Sequence, residues 1–128
     1  MPRWLLLACT ILLCACCASA PPKQRVFKAL PLEPEGWYEV LYDEVVNCAK
    51  PLGKYNGKRY SDLEWYVVTP GAMDDFVGLH SPPKRIYLDF KYTMNASIIK
   101  HEIGHYAIVT GHNGHEAATF LLCTKYGQ

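Results

Sequence analysis

Five residues toward the C-terminal end, His101-Glu102-Ile103-Gly104-His105, combine two side chains that can hold a metal ion with one that can move a proton. On a helix, residues four apart lie on one face, one turn above the other. Two imidazoles so placed can share one metal. Glu102 lies about 100° round the helix from His101, too far to be a ligand beside them but near enough to reach a metal-bound water. The spacing H-E-x-x-H therefore suits a zinc hydrolase: two histidine ligands, an open coordination position and a carboxylate acting as general base.

A five-residue pattern also arises by chance, so its surroundings must support it. Asn95 to Thr110 contains no proline and is apolar on most sides, through Ile98, Ile99, Ile103, Tyr106, Ala107, Ile108 and Val109. The pattern predicts a buried helix over 95–110. Histidine and glutamate in such a helix need partners, and a metal supplies them. Gly104 costs up to about 1 kcal/mol against alanine inside a helix, which implies that another element packs closely there. The plainer alternative is a pair of core histidines bonded to backbone. The metal is the better reading.

The rest of the chain must position this helix. Of 128 residues, half are hydrophobic, and 13 Lys+Arg nearly balance 12 Asp+Glu. That excludes the basic face of a nucleic-acid binder. Residues 1–20 read as an export leader, with Arg3 followed by an apolar run from Trp4 to Leu13. Its end has two readings. Ala18-Ser19-Ala20 fits a signal-peptidase site, although Pro21 would follow the cut. Leu13-Cys14-Ala15-Cys16 resembles a bacterial lipobox, with lipidation of Cys16, and is slightly preferred. Either way the chain is exported, to the bacterial cell envelope as a lipoprotein or as a secreted protein. Apart from the leader no apolar run is long enough to span a membrane, so a lipid anchor is the one membrane contact expected.

Residues 21–128 are expected to form a single domain. Pro21 to Pro34 reads as an extended arm with a weak edge strand near Val26 and Phe27. Pro34 to Lys50 predicts a helix, with Trp37, Leu41, Val45 and Cys48 on one face and Pro51 and Gly53 ending it. Alternation predicts a strand over Asp62–Thr69, with Leu63, Trp65 and Val67 on one face. Shorter strands are expected over Phe76–His80 and Arg85–Phe90, the latter placing Ile86, Leu88 and Phe90 together. His80 reads as a surface histidine, at most at the rim of a cleft. Asn95 reads as a helix cap rather than a glycosylation site. A last helix is expected from about His115 to Tyr126, turning Phe120, Leu121 and Cys123 inward. The body of the chain keeps two cysteines, Cys48 and Cys123, which in an oxidising compartment predict one disulfide. The fold class is α+β: an N-terminal helix, a sheet of three or four strands, mixed or antiparallel, the metal helix across it and a C-terminal helix.

His112, His115 and Glu116 compete to be the third ligand. No glycine or proline interrupts 106–110, so the helix is expected to run about 7 Å past His105 at 1.5 Å per residue. His112 has too little chain in which to return. His115 has five residues, two of them glycine, and opens the last helix. The expectation is therefore metal ligands His101, His105 and His115. His112 would contact substrate or oxyanion, and Glu116 would hydrogen-bond a ligand.

With these features the chain resembles the zincins, the H-E-x-x-H metallopeptidases. It is similar in particular to short exported bacterial putative metalloproteases, in which a strand like Gly78–Leu88 precedes the zinc helix. In those proteins, as in His115 to Cys123, a histidine, a phenylalanine five residues on and a cysteine three further close the chain. The resemblance covers roughly residues 37–123. Metzincins carry a glycine and a histidine where Ile108 and Gly111 stand, so that subclass is excluded. The glutamate-ligand subclass needs more chain beyond the motif than remains. The resemblance implies a small zincin-like domain holding one Zn2+, with Glu102 as general base, cleaving a peptide or protein substrate as a monomer. It also implies an oxyanion donor, for which Tyr106 and His112 are the nearby residues. The competing readings are a non-catalytic metal-binding or protein-interaction module on the same fold, and a structural zinc protein.

Overall fold

The structure is a computed structural model that describes residues 28–125. The leader, Cys16, the Val26–Phe27 pair and Tyr126 lie outside the described residues. In chain order the elements are β1 (Ala29–Pro31), α1 (Gly36–Ala49), β2 (Glu64–Val68), β3 (Gly78–Ser81), β4 (Arg85–Asp89), α2 (Ala96–Ala107) and α3 (Ala118–Thr124). The four strands form one mixed sheet in the order β1-β2-β4-β3, antiparallel at both margins and parallel between β2 and β4. This is the expected α+β architecture. No described helix is long and apolar enough to cross a membrane.

The core lies between the helices and one face of the sheet. Ile86 and Leu88 of β4 and Trp65 of β2 meet Leu41 and Val45 of α1, Ile99, Ile103 and Tyr106 of α2, and Phe120 of α3. In α1 the buried positions are Tyr38, Leu41, Tyr42, Val45, Val46 and Ala49, the three-and-four spacing of one helical face. Trp37 and Cys48, expected on that face, stand at its edge and are half-buried. The helix begins two residues after Pro34 because Glu35 is still extended, and Gly53 in the left-handed region closes the turn that follows it.

Several expected boundaries move. β2 starts at Glu64 because Tyr60–Asp62 forms a 3-10 turn. β4 stops at Asp89, whose carboxylate accepts the Lys91 N–H and caps another 3-10 turn. Phe90 is therefore 65% exposed rather than facing the core with Leu88. Phe76 lies before β3 and is exposed as well. Asn95 caps α2 through a bond from the Ile98 N–H to its side chain. The helix ends at Ala107, three residues short of Thr110. Asn56 takes its last free carbonyls, the backbone N–H on Ala107 and the side-chain amide on Tyr106. Ile108 then pairs with Tyr55 as an isolated β-bridge. α3 is only seven residues long and buries Phe120 and Cys123, while Leu121 is 58% exposed.

Two features hold α3 in place. Cys48 and Cys123 form the expected disulfide, with α-carbons 5.5 Å apart, and so tie α1 to α3. Gly104 lets α3 lie against α2: a Cβ there would stand 2.3 Å from Thr124 Cγ2 and 2.9 Å from Phe120 Cε2. The cost of a glycine inside a helix is offset by that approach.

Candidate metal centre

α2 supplies the first two histidines from one face, as i, i+4 spacing requires. The His101 and His105 Nε2 atoms are 3.1 Å apart. His115 comes from the turn after α2. The chain leaves the helix at Ala107 and runs beside Lys54, where the Val109 N–H meets the Lys54 carbonyl. It reverses through a 3-10 turn over Gly111–Glu116, with Gly111 and Gly114 at φ +60° and +50°, values that suit glycine. This brings His115 Nε2 to 2.6 Å from His105 Nε2. One nitrogen from each ring lies within 4.8 Å of the others. The premise that placed His115 here fails, since the helix stops well before Thr110. The early stop leaves more chain for the return, and the three nitrogens converge.

Phe120 backs the group. Its ring centroid is 5.0 Å from that of His101, 4.7 Å from His105 and 5.5 Å from His115. An aromatic floor of this kind fixes ring orientation and excludes water from one side. Three nitrogens on one tetrahedral ion, with bonds of about 2.0–2.1 Å, would stand about 3.3 Å apart. The 3.1 Å pair is close to that. The 2.6 Å pair must open, and exposed His115 is the ring with room to move. The donor set suits a borderline-soft divalent ion such as zinc.

Electrostatics favours neutral rings. Burial, followed by the charges of His101, His115 and His80, pushes His105 down to about 4. His101 is lowered by burial and then by His115. Neutral imidazole is the form that binds metal. Glu102, buried next to them, is pushed up to about 7 by burial, against the opposing effect of a hydrogen bond from the His80 backbone. A divalent cation nearby would pull that value back down.

Other expected residues fall elsewhere. His112 is exposed and does not join the three nitrogens. Glu116 is also exposed and bonds none of the three histidines among the described residues. The Tyr106 hydroxyl is engaged within the fold, donating to the Arg59 carbonyl at 2.7 Å. His80 is not a surface histidine. It is half-buried, its ring sits edge-on 6.0 Å from that of Tyr106, and its Nε2 is buried with no hydrogen-bond partner among the described residues.

Sequence reasoning missed Gly78. A Cβ there would lie 2.9 Å from Glu102 Cγ and 2.9 Å from Glu102 Oε1. The period of two in a strand places Gly78 and His80 on the same side of β3, but nothing in that alternation points to Glu102 on α2. From the sequence Phe120 reads only as core, because nothing in its spacing marks it as the floor of a site. No family model, curated protein or solved structure matches the chain.

Proposed function

We propose that this chain is an exported zinc-dependent peptidase of the zincin type. The observation that carries the reading is the convergence of His101, His105 and His115 beside a buried carboxylate, Glu102. Structural zinc sites are closed by four protein ligands, whereas catalytic ones use three and keep a position open. Among the described residues the group contains three and no fourth histidine, cysteine or carboxylate. This favours catalysis over a structural role. Export is supported by the leader-like residues 1–20 and by a disulfide, which belongs in an oxidising compartment.

The three histidines would hold one zinc ion, which when bound supplies Lewis acidity to acidify a water and polarise a peptide carbonyl. Glu102 takes the water's proton and returns it to the leaving amine. Phe120 keeps the histidine rings in register and shields them from solvent on one side. β3 is an edge strand that lies against α2. An extended peptide adding to it would run past the centre, with backbone pairing supplying affinity.

The test is peptide hydrolysis by the zinc-loaded protein and by Glu102→Gln. The wild type should cleave a casein-type substrate, and the variant should bind zinc equally but lose activity by at least about 10²-fold, the lower range for a positioned acid–base group. Equal activity in the two would remove Glu102 from the mechanism. A zinc-loaded wild type that hydrolyses nothing would leave the alternative, a non-catalytic metal-binding module.

A further inference from the structure

The ladder between β3 and β4 determines which backbone groups of the edge strand are free. Hydrogen-bonded and non-hydrogen-bonded pairs alternate along an antiparallel ladder. The Asp89 N–H donates to the Val77 carbonyl at 2.9 Å, so Gly78–Leu88 and His80–Ile86 are non-hydrogen-bonded pairs. The N–H and C=O groups of Gly78 and His80 therefore turn away from β4, toward the open edge. The Glu102 carboxylate takes one of them, the His80 N–H.

Gly78 is buried under the same side chain. Besides the two Glu102 atoms, a Cβ there would meet Ile98 Cγ2 at 2.9 Å. Gly78 does not adopt the left-handed conformation that favours glycine. What excludes a side chain at this position is the space taken by Glu102 and Ile98, not the backbone.

We propose that Gly78 and the His80 N–H are the seat of the general base: the missing side chain at 78 lets the carboxylate reach the strand edge, and the N–H at 80 aims it. Both act through Glu102 and are positioning residues. The carboxylate thereby sits on the edge itself, at the His80 N–H, and an added peptide would pair with the edge groups beside it. This inference rests on the peptidase reading and specifies how that site is built.

The experiment uses the zinc-loaded full chain and reads kcat, KM and zinc affinity separately. Gly78→Ala should lower kcat by about 10²-fold, the size expected when a reacting group is displaced by about 1 Å. KM and zinc affinity should not change. In a Glu102→Gln background the same substitution should cost nothing further, since interacting residues are not additive. A second pair needs no packing change at 78. Proline is tolerated on an edge strand whose N–H faces outward, so His80→Pro removes the N–H while His80→Ala keeps it. Both lose the ring, and only the proline variant should show the full loss.

Additive losses in the Glu102→Gln background would overturn the inference. So would recovery of Gly78→Ala by Ile98→Ala, because that would trace the effect to packing against Ile98. Equal losses in His80→Pro and His80→Ala, or a parallel fall in zinc affinity, would overturn it too. Each of these leaves the peptidase reading standing, whereas absence of hydrolysis in the zinc-loaded wild type overturns both.

Discussion

At the scale of single residues, His115 reaches two half-buried histidines from an exposed turn. It is the partner most easily mistaken for its neighbours, since His112 and Glu116 sit in the same 3-10 turn. Geometry separates them: only the His115 ring approaches His101 and His105. His115→Ala should therefore weaken zinc binding by more than about 100-fold, beyond the cost of losing a hydrogen bond to a ligand. His112→Ala should leave it unchanged. Competitive titration against a chromophoric chelator checks both, and equal losses would contradict the assignment. His101, Glu102 and His105 were legible in the sequence because helical spacing alone puts them together. Gly78 was not, since its contact with Glu102 exists only once β3 lies against α2.

At the scale of elements, local pattern found α1, α2, α3, β2, β3 and β4 but not where they end, and it did not mark Ala29–Pro31 as a strand. No glycine or proline between Tyr106 and Thr110 marks a stop, and the one signal against helix is the β-branched run Ile108-Val109-Thr110. α2 stops at Ala107 because Asn56, fifty residues away, takes its carbonyls. Likewise Phe90 continues the alternation of β4, but Asp89 caps a turn and puts Phe90 in solvent. The packing of α3 on α2 was foreshadowed by Gly104. Gly104→Ala should destabilise the protein by about 1–3 kcal/mol, the usual cost of overpacking, against a helix-propensity gain of at most about 1 kcal/mol. Thr124→Ser removes the methyl nearest the new Cβ but keeps the hydroxyl that donates to the Phe120 carbonyl at 2.7 Å. It should recover part of the loss. Urea midpoints measure both changes, and a Gly104→Ala protein more stable than the wild type would show that the close approach is not limiting.

At the scale of the whole molecule, the disulfide and the metal centre meet in α3. Cys123 fixes that helix to α1, and Phe120, three residues earlier, is the floor under all three histidines. A bond spanning 75 residues is worth about 4 kcal/mol in the chain-entropy model. Replacing Cys48 and Cys123 together by serine should lower stability by up to that amount and weaken zinc binding as the floor loosens. Urea unfolding and zinc titration of the double variant test this, and undiminished zinc affinity would show that Phe120 is held well enough by packing alone.

The central claim, that three histidines form a single metal site, is tested most directly by native mass spectrometry of the purified protein after zinc supplementation. One zinc ion per chain is predicted, retained by Glu102→Gln and absent from His101→Ala and His105→Ala. A wild-type chain that carries no zinc would contradict it.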